Sequence, residues 1–102
     1  MITRIWRGWT AVGSAEAYEL YLLEELFPSM TRIKGFLGAE VLRRADGDEV
    51  AFVTLTRFSS FEAIRAFAGE DYERPVLGSR ALSLLTRGDE LAQHFETVSF
   101  VP

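Results

Sequence analysis

The sequence predicts an α+β domain, one antiparallel sheet with two helices laid against it. Three observations carry that prediction. Runs that alternate apolar with polar residues mark strands at the start, middle and end of the chain. Two segments with apolar residues at helical spacing separate them, each preceded by a serine able to cap a helix. The turn Ala45-Asp46-Gly47-Asp48 joins two of the alternating runs, and Asp-Gly between such runs signals a hairpin.

The first strand is Met1 to Thr10, rich in β-branched and aromatic residues. Ala11 to Ser14 reads as a turn, with Ser14 as N-cap of a helix from Ala15 to about Phe27 and Glu16 favourable in its first turn. Leu20, Leu23, Phe27 and Met30 form one apolar stripe on that helix, and Tyr18, Leu22 and Leu26 a second beside it. Pro28 ends the helix or tightens its last turn. Gly35 leads into a second strand, Phe36 to Arg44, and the hairpin returns through a third, Glu49 to Phe58. Ser59, with Glu62 three residues on, has the form of a capping box. A second helix follows from Ser60 to about Ala68, with Phe61, Ile64 and Phe67 or Ala68 turned inward and Gly69 ending it. Ser79 to Thr86 reads as a short helix stopped by Gly88, and Gln93 to Val101 as a fourth strand.

Residues 1–102 thus read as a single domain of strand, helix, hairpin, helix and strand. This is the ferredoxin-like βαββαβ order, a four-stranded antiparallel sheet with helices on one face. Both faces of the sheet are apolar, however. Ile2 and Trp6 oppose Ile5 and Trp9 on the first strand; Val50, Phe52 and Phe58 oppose Ala51, Val53 and Leu55 on the third. The helices cover one face, so the other calls for a second copy, a homodimer formed through the sheet.

Composition removes several function classes. With no cysteine there is no disulfide scaffold, zinc ribbon or thiol chemistry, and one histidine cannot make a multi-His metal site. Neither a metal nor another cofactor is expected. A net charge of −4 argues against a nucleic-acid partner. No apolar run reaches the roughly 18 residues of a membrane span, and MITRIWRGWT has no signal-peptide core, so a soluble cytoplasmic protein is expected. Gly35 and Gly38 lack the Lys-Ser/Thr of a phosphate loop, and there is no Gly-x-Ser-x-Gly elbow.

The stretches MITRIWRGWT, GFLGAEVLRR, DEVAFVTLTRFSSFEAIRAFAGED and HFETVSF resemble antibiotic-biosynthesis-monooxygenase-like proteins of the dimeric α/β-barrel superfamily. The most specific part is Phe58-Ser59-Ser60-Phe61-Glu62-Ala63, which is similar to the family's strand-ending aromatic and capped helix. The resemblance covers almost the whole chain. It implies a ferredoxin-like fold dimerising through its sheet and a pocket between sheet and helices. The activities it implies are cofactor-free oxygenation of polycyclic phenols and haem degradation, beside members without known activity. The haem-degrading branch uses a His on its second helix and an Asn; this chain has no His in residues 60–68 and no Asn anywhere. The phenol-oxygenating branch tends to use an Asn and a Trp, and Phe58 stands where the Trp often is.

Within that frame His94 is the candidate base, since an imidazole titrates near neutrality. Its other reading is an edge histidine with a satisfied hydrogen bond. Arg4 shares a strand face with Trp6 and is the candidate oxyanion clamp, unless it pairs with Glu40, Glu96 or a partner acid. Tyr72, just past the second helix, would close the pocket mouth; the catalytic set is His94, Arg4 and Tyr72. Trp6, Phe58, Tyr18 and Phe52 would wall a flat aromatic substrate. The expected function is a cofactor-free monooxygenase-like enzyme acting on a small flat aromatic or polyphenolic molecule. The alternative is a non-catalytic ligand-binding or stress-response module of the same fold.

Overall fold

The computed structural model describes residues 1–102. Strand β1 (Ile2–Ala11) lies in the middle of the sheet, and β3 (Glu49–Phe58) pairs with it antiparallel, Ile2 opposite Phe58 and Ala11 opposite Glu49. β2 (Phe36–Asp46) pairs with the far side of β3. The hairpin between them closes on Gly47 and Asp48. Gly47 has φ 63°, as the first turn residue of a type II′ hairpin requires, while no residue other than glycine has a positive φ.

The free edge of β1 takes two short strands, β4 (Leu85–Gly88) and β5 (Gln93–Glu96), both antiparallel to it. The sheet therefore has five strands rather than the expected four, in the order β2-β3-β1-β4 with β5 also on β1. The expected last strand ran to Val101, but the ladder stops at Glu96 opposite Ile2. The Thr97 amide still donates to the Met1 carbonyl at 2.9 Å, and residues 98–102 have no regular secondary structure. The expected helix from Ser79 to Thr86 stops at Leu84, and Leu85 is already extended and joins β4.

The first helical segment also differs from its sequence reading. A 3₁₀ turn, Val12–Ser14, leads into α1 (Ala15–Tyr21). A π turn, Leu22–Leu26, follows and passes directly into α2 (Phe27–Met30). Ser14 stands at the N-cap position but makes no side-chain capping bond. Pro28 does not end the helix. The Phe27 amide reaches back five residues to the Leu22 carbonyl, and this widened turn accommodates a proline that has no N–H and whose ring would crowd the carbonyl four residues earlier. The extra residue in the turn shifts the phase of the apolar face. Ala15 and Tyr18 are buried before it, Leu22 at its first position and Met30 after it, while Leu20 and Leu23, part of the expected main stripe, are about half exposed.

α3 (Phe61–Ala68) is capped by Ser60, whose hydroxyl accepts from the Ala63 amide at 3.2 Å. The cap is therefore one residue later than the Ser59 capping box expected. Ser59 instead donates its amide to the Gly35 carbonyl at 2.8 Å. Ala63 and Ile64 are the buried residues of α3, and Phe61, expected inward, is 40% exposed. The helices and the inner face of the sheet enclose two core clusters. One joins Tyr18 and Leu22 to Val50, Phe52 and Ala81; the other joins Met30 to Phe58, Ala63 and Ile64.

Replacing Ser60 with alanine removes a cap and should lower unfolding free energy by about 1 kcal/mol. Ser59→Ala should stay within about 0.5 kcal/mol of the parent. Urea denaturation of the two variants distinguishes them, and a larger loss at Ser59 would place the cap where the sequence suggested.

Candidate functional site

Arg4 faces the helices from the middle of β1 and is only 5% exposed. Its guanidinium touches no carboxylate. Glu40 pairs with Arg57 instead, and Glu96 pairs with nothing at this site. The Arg4 donors go to backbone and imidazole: Nη1 to the Tyr72 carbonyl and to His94 Nε2 at 2.9 Å, and Nη2 to the Arg74 carbonyl at 3.0 Å. The Phe67 ring lies 5.7 Å from its Cζ. Burial lowers the Arg4 pKa to about 10, so the group stays a cation at neutral pH. Arg7, one face over, is different: it is exposed and held bidentate by Asp89 at 2.8 and 3.1 Å.

His94 comes to Arg4 through sheet register, because the two are direct partners across β1 and β5. Arginine can only donate, so His94 Nε2 accepts and the neutral ring carries its proton on Nδ1. Burial, and then the Arg4 charge, lower the His94 pKa to about 4. The nitrogen that a base would use is thus already occupied. Tyr72 stands edge-on to the imidazole at 5.1 Å and 5.4 Å from Phe61, and Arg65 lies over its ring.

The structure therefore brings Arg4, His94 and Tyr72 together, but not into one chamber. Arg4 alone of the three lines the inner cavity between sheet and helices. That cavity holds only about 40 Å³ and is walled mainly by apolar and aromatic groups, among them Trp6, Tyr18, Tyr21, Phe27, Met30, Phe67 and residues 75–77. Tyr72 and His94 line a separate groove open to solvent, about 570 Å³, with Phe61, Leu91, Gln93 and Phe95. Arg4 is the contact between the two spaces.

Of the expected aromatic wall, Trp6 and Tyr18 border the inner cavity and Phe52 and Phe58 do not. Phe52 is packed edge-on to Tyr18 at 5.0 Å, and Phe58 lies between Phe36 and Phe67. Both are below 2% exposure and belong to the core. The Trp6 indole is held in place by what is missing beside it. A Cβ on Gly8 would come within 2.7 Å of the ring and one on Gly88 within 2.3 Å. Its Nε1 donates to the Asp89 carbonyl at 2.8 Å. Glycines inside strands were the sequence signal for this close approach. Phe67 was expected inward but not at a pocket, and only tertiary packing turns it, Tyr21 and residues 75–77 towards the cavity. Burial raises the Tyr18 pKa, and the neighbouring Tyr21 adds to the effect, so its hydroxyl stays protonated.

Protonating His94 would place a second cation against Arg4. The unfolded chain accepts that proton near pH 6.5, roughly the ordinary value for an imidazole, and the folded chain only near pH 4. Stability is present in full above the upper value and is lost as pH falls towards the lower one. Partial exposure screens the loss to roughly 1 kcal/mol. The urea midpoint of the parent should fall between pH 6.5 and pH 4, and His94→Gln should flatten that fall. An equal slope in both proteins would remove His94 as its source.

Neither a protein-family model nor a curated protein matches this chain. Solved structures match it end to end. The haem degrader MhuD from Mycobacterium tuberculosis, with two haems bound in its active site, is 21% identical with a TM-score of 0.64, covering 100% of each chain. SnoaB from Streptomyces nogalater, a cofactor-independent oxygenase, is 22% identical with a TM-score of 0.63, covering 99% of this chain and 96% of its own. These are the kinds of protein that the sequence stretches resemble. At this identity the likeness is one of fold, the ferredoxin-like α+β arrangement with helices on one face of an antiparallel sheet.

Proposed function

We propose that the chain is a cofactor-free, monooxygenase-like protein that takes a small flat aromatic phenol between its sheet and helices. The observation that carries this reading is Arg4, a buried cation without an acidic partner at the end of an aromatic-lined cavity. Such a group favours an anion beside it, so it lowers the pKa of a bound phenol and holds the phenolate oxygen. An electron-rich phenolate reacts with oxygen directly. One oxygen atom becomes a ring carbonyl and the other leaves as water, whose two hydrogens are the ring C–H and the phenol O–H, so the substrate supplies all the electrons. Trp6 supports the ring, and Tyr18 supplies a neutral hydroxyl. His94 is reassigned from base to orienting group, since its accepting nitrogen holds Arg4. SnoaB, the cofactor-independent oxygenase of the same fold, supports the reading.

Oxygen consumption with a panel of anthrones and naphthols tests it. Turnover is expected, and Arg4→Gln should reduce kcat/KM about 100-fold, the effect of losing one oxyanion donor. The cavity volume favours a second reading, a binding module without turnover, because 40 Å³ takes water rather than a ring. Saturable binding with no oxygen uptake would select it.

We also infer a homodimer through the face of the sheet away from the helices, where Ile5, Val53 and Leu55 are only partly buried and Leu42 and Phe95 are about half exposed. Sedimentation should give twice the chain mass of 11.5 kDa. Val53→Glu should give monomers, and a monomeric parent would end the inference.

A further inference from the structure

The inner cavity is too small for the ligand just proposed. An apolar cavity of roughly 150 Å³ is what a single benzene takes, against about 40 Å³ here. Something in the wall must move, and the wall is uneven. Most of it is strand or helix. The exception is the stretch Pro75 to Leu77, which has no regular secondary structure and no backbone–backbone hydrogen bond.

What holds this stretch at its upstream end is Arg4. Its two guanidinium nitrogens donate to the carbonyls of Tyr72 and Arg74, immediately before Pro75. Tyr72 and Leu77 also pack against the core, but the remaining polar ties are few. The Ala92 amide donates to the Glu73 carbonyl at 2.7 Å, the Arg74 amide to the Asp71 carbonyl at 3.1 Å, and the Arg74 side chain forms exposed ion pairs with Asp71 and Glu90. Exposed pairs of that kind contribute little.

The two carbonyls and His94 take three of the five guanidinium N–H donors, both of those on Nη1 among them, so an oxyanion seated in the fork between Nη1 and Nη2 must displace a carbonyl. A carbonyl is a neutral acceptor, and a carboxylate or phenolate is a stronger one for a buried guanidinium. We propose that residues 72–78 are a gate latched by Arg4, and that a flat aromatic ligand carrying an oxyanion opens it by taking the Arg4 donors from the Tyr72 and Arg74 carbonyls. Release of the stretch joins the inner cavity to the groove lined by Tyr72 and His94, since Arg4 is the group between them. The gate rests on the reading of the cavity as a ligand site and adds a selection rule to it. An aromatic that can ionise to an oxyanion beside Arg4 opens the gate, and one of the same shape that cannot ionise does not release the latch.

Amide hydrogen exchange reads the gate at Arg74 and Ala92, both hydrogen-bonded when it is closed. Arg4→Met keeps the bulk and removes the donors, and Arg4→Lys keeps the charge without the fork to two carbonyls. Arg4→Met should speed exchange at the two amides at least tenfold while the amides between β1 and β3 keep their parent rates. Should Arg4→Met fail to fold, Arg4→Lys carries the same test, with at least threefold expected. Parent rates in the folded variant would overturn the gate, whatever any ligand does. With the parent protein, 2-naphthoate should quench tryptophan fluorescence and speed the same amides, and 2-naphthamide should do neither. If naphthoate binds and leaves the amides slow, the gate falls and the binding reading stands. If neither compound binds, the cavity reading falls, and ligand-driven opening with it.

Discussion

A guanidinium placed in the interior without a carboxylate organises this molecule. Burying a cation is costly unless its donors are satisfied. Here two loop carbonyls and one imidazole nitrogen take three of its five N–H donors. This single requirement draws residues 72–74 down onto the sheet and fixes the imidazole tautomer. It also sets the two unusual protonation equilibria of the site, an arginine lowered by burial and a histidine lowered by burial and by that arginine. Had a glutamate paired with Arg4, the loop would lack its anchor and the cavity would lack its charge.

The edge of the sheet is the second constraint. β1 must pair with whatever follows α4 (Ser79–Leu84), and it does so in two pieces, because Asp89 turns aside to serve β1 from the flank. Its amide donates to the Arg7 carbonyl, its carboxylate holds the Arg7 side chain, and its carbonyl accepts from the Trp6 indole. Gly88, the residue before it, leaves room for that indole. The interruption that divides the expected strand thus seats the aromatic floor of the cavity, and past it β5 resumes in the register that puts His94 opposite Arg4. Strand pairing, tryptophan placement and the site are one arrangement.

Much of this was legible in the chain. The Asp-Gly hairpin, the alternation of β1 and β3, and the placing of Arg4 and Trp6 on one face follow from a side-chain period of two, which needs no tertiary information. The short-range details failed where two local signals competed. Ser59 with Glu62 looked like a capping box, yet the chain caps with Ser60, because the Ser59 amide is tied to the Gly35 carbonyl in the sheet crossing. Leu20 and Leu23 continued a regular stripe on paper, but α1 buries the neighbouring stripe of Ala15, Tyr18 and Leu22 and leaves them facing out, and only the π turn beside Pro28 brings Met30 back inside. Phe52 and Phe58 lay on the correct face for a cavity wall, but the neighbouring rings close over them.

The sequence by itself determined the order of elements, the face of the sheet on which each strand residue stands, and the residue types available for chemistry, because these depend on backbone period and composition alone. Only the tertiary structure decided that Arg4 meets His94 rather than an acid, that the cavity is small, and that the pair divides an inner chamber from an outer groove. Those outcomes depend on register across β1 and β5 and on where the loop after α3 comes to rest. Both are set by contacts between residues some seventy to ninety positions apart in the chain, and no local pattern records them.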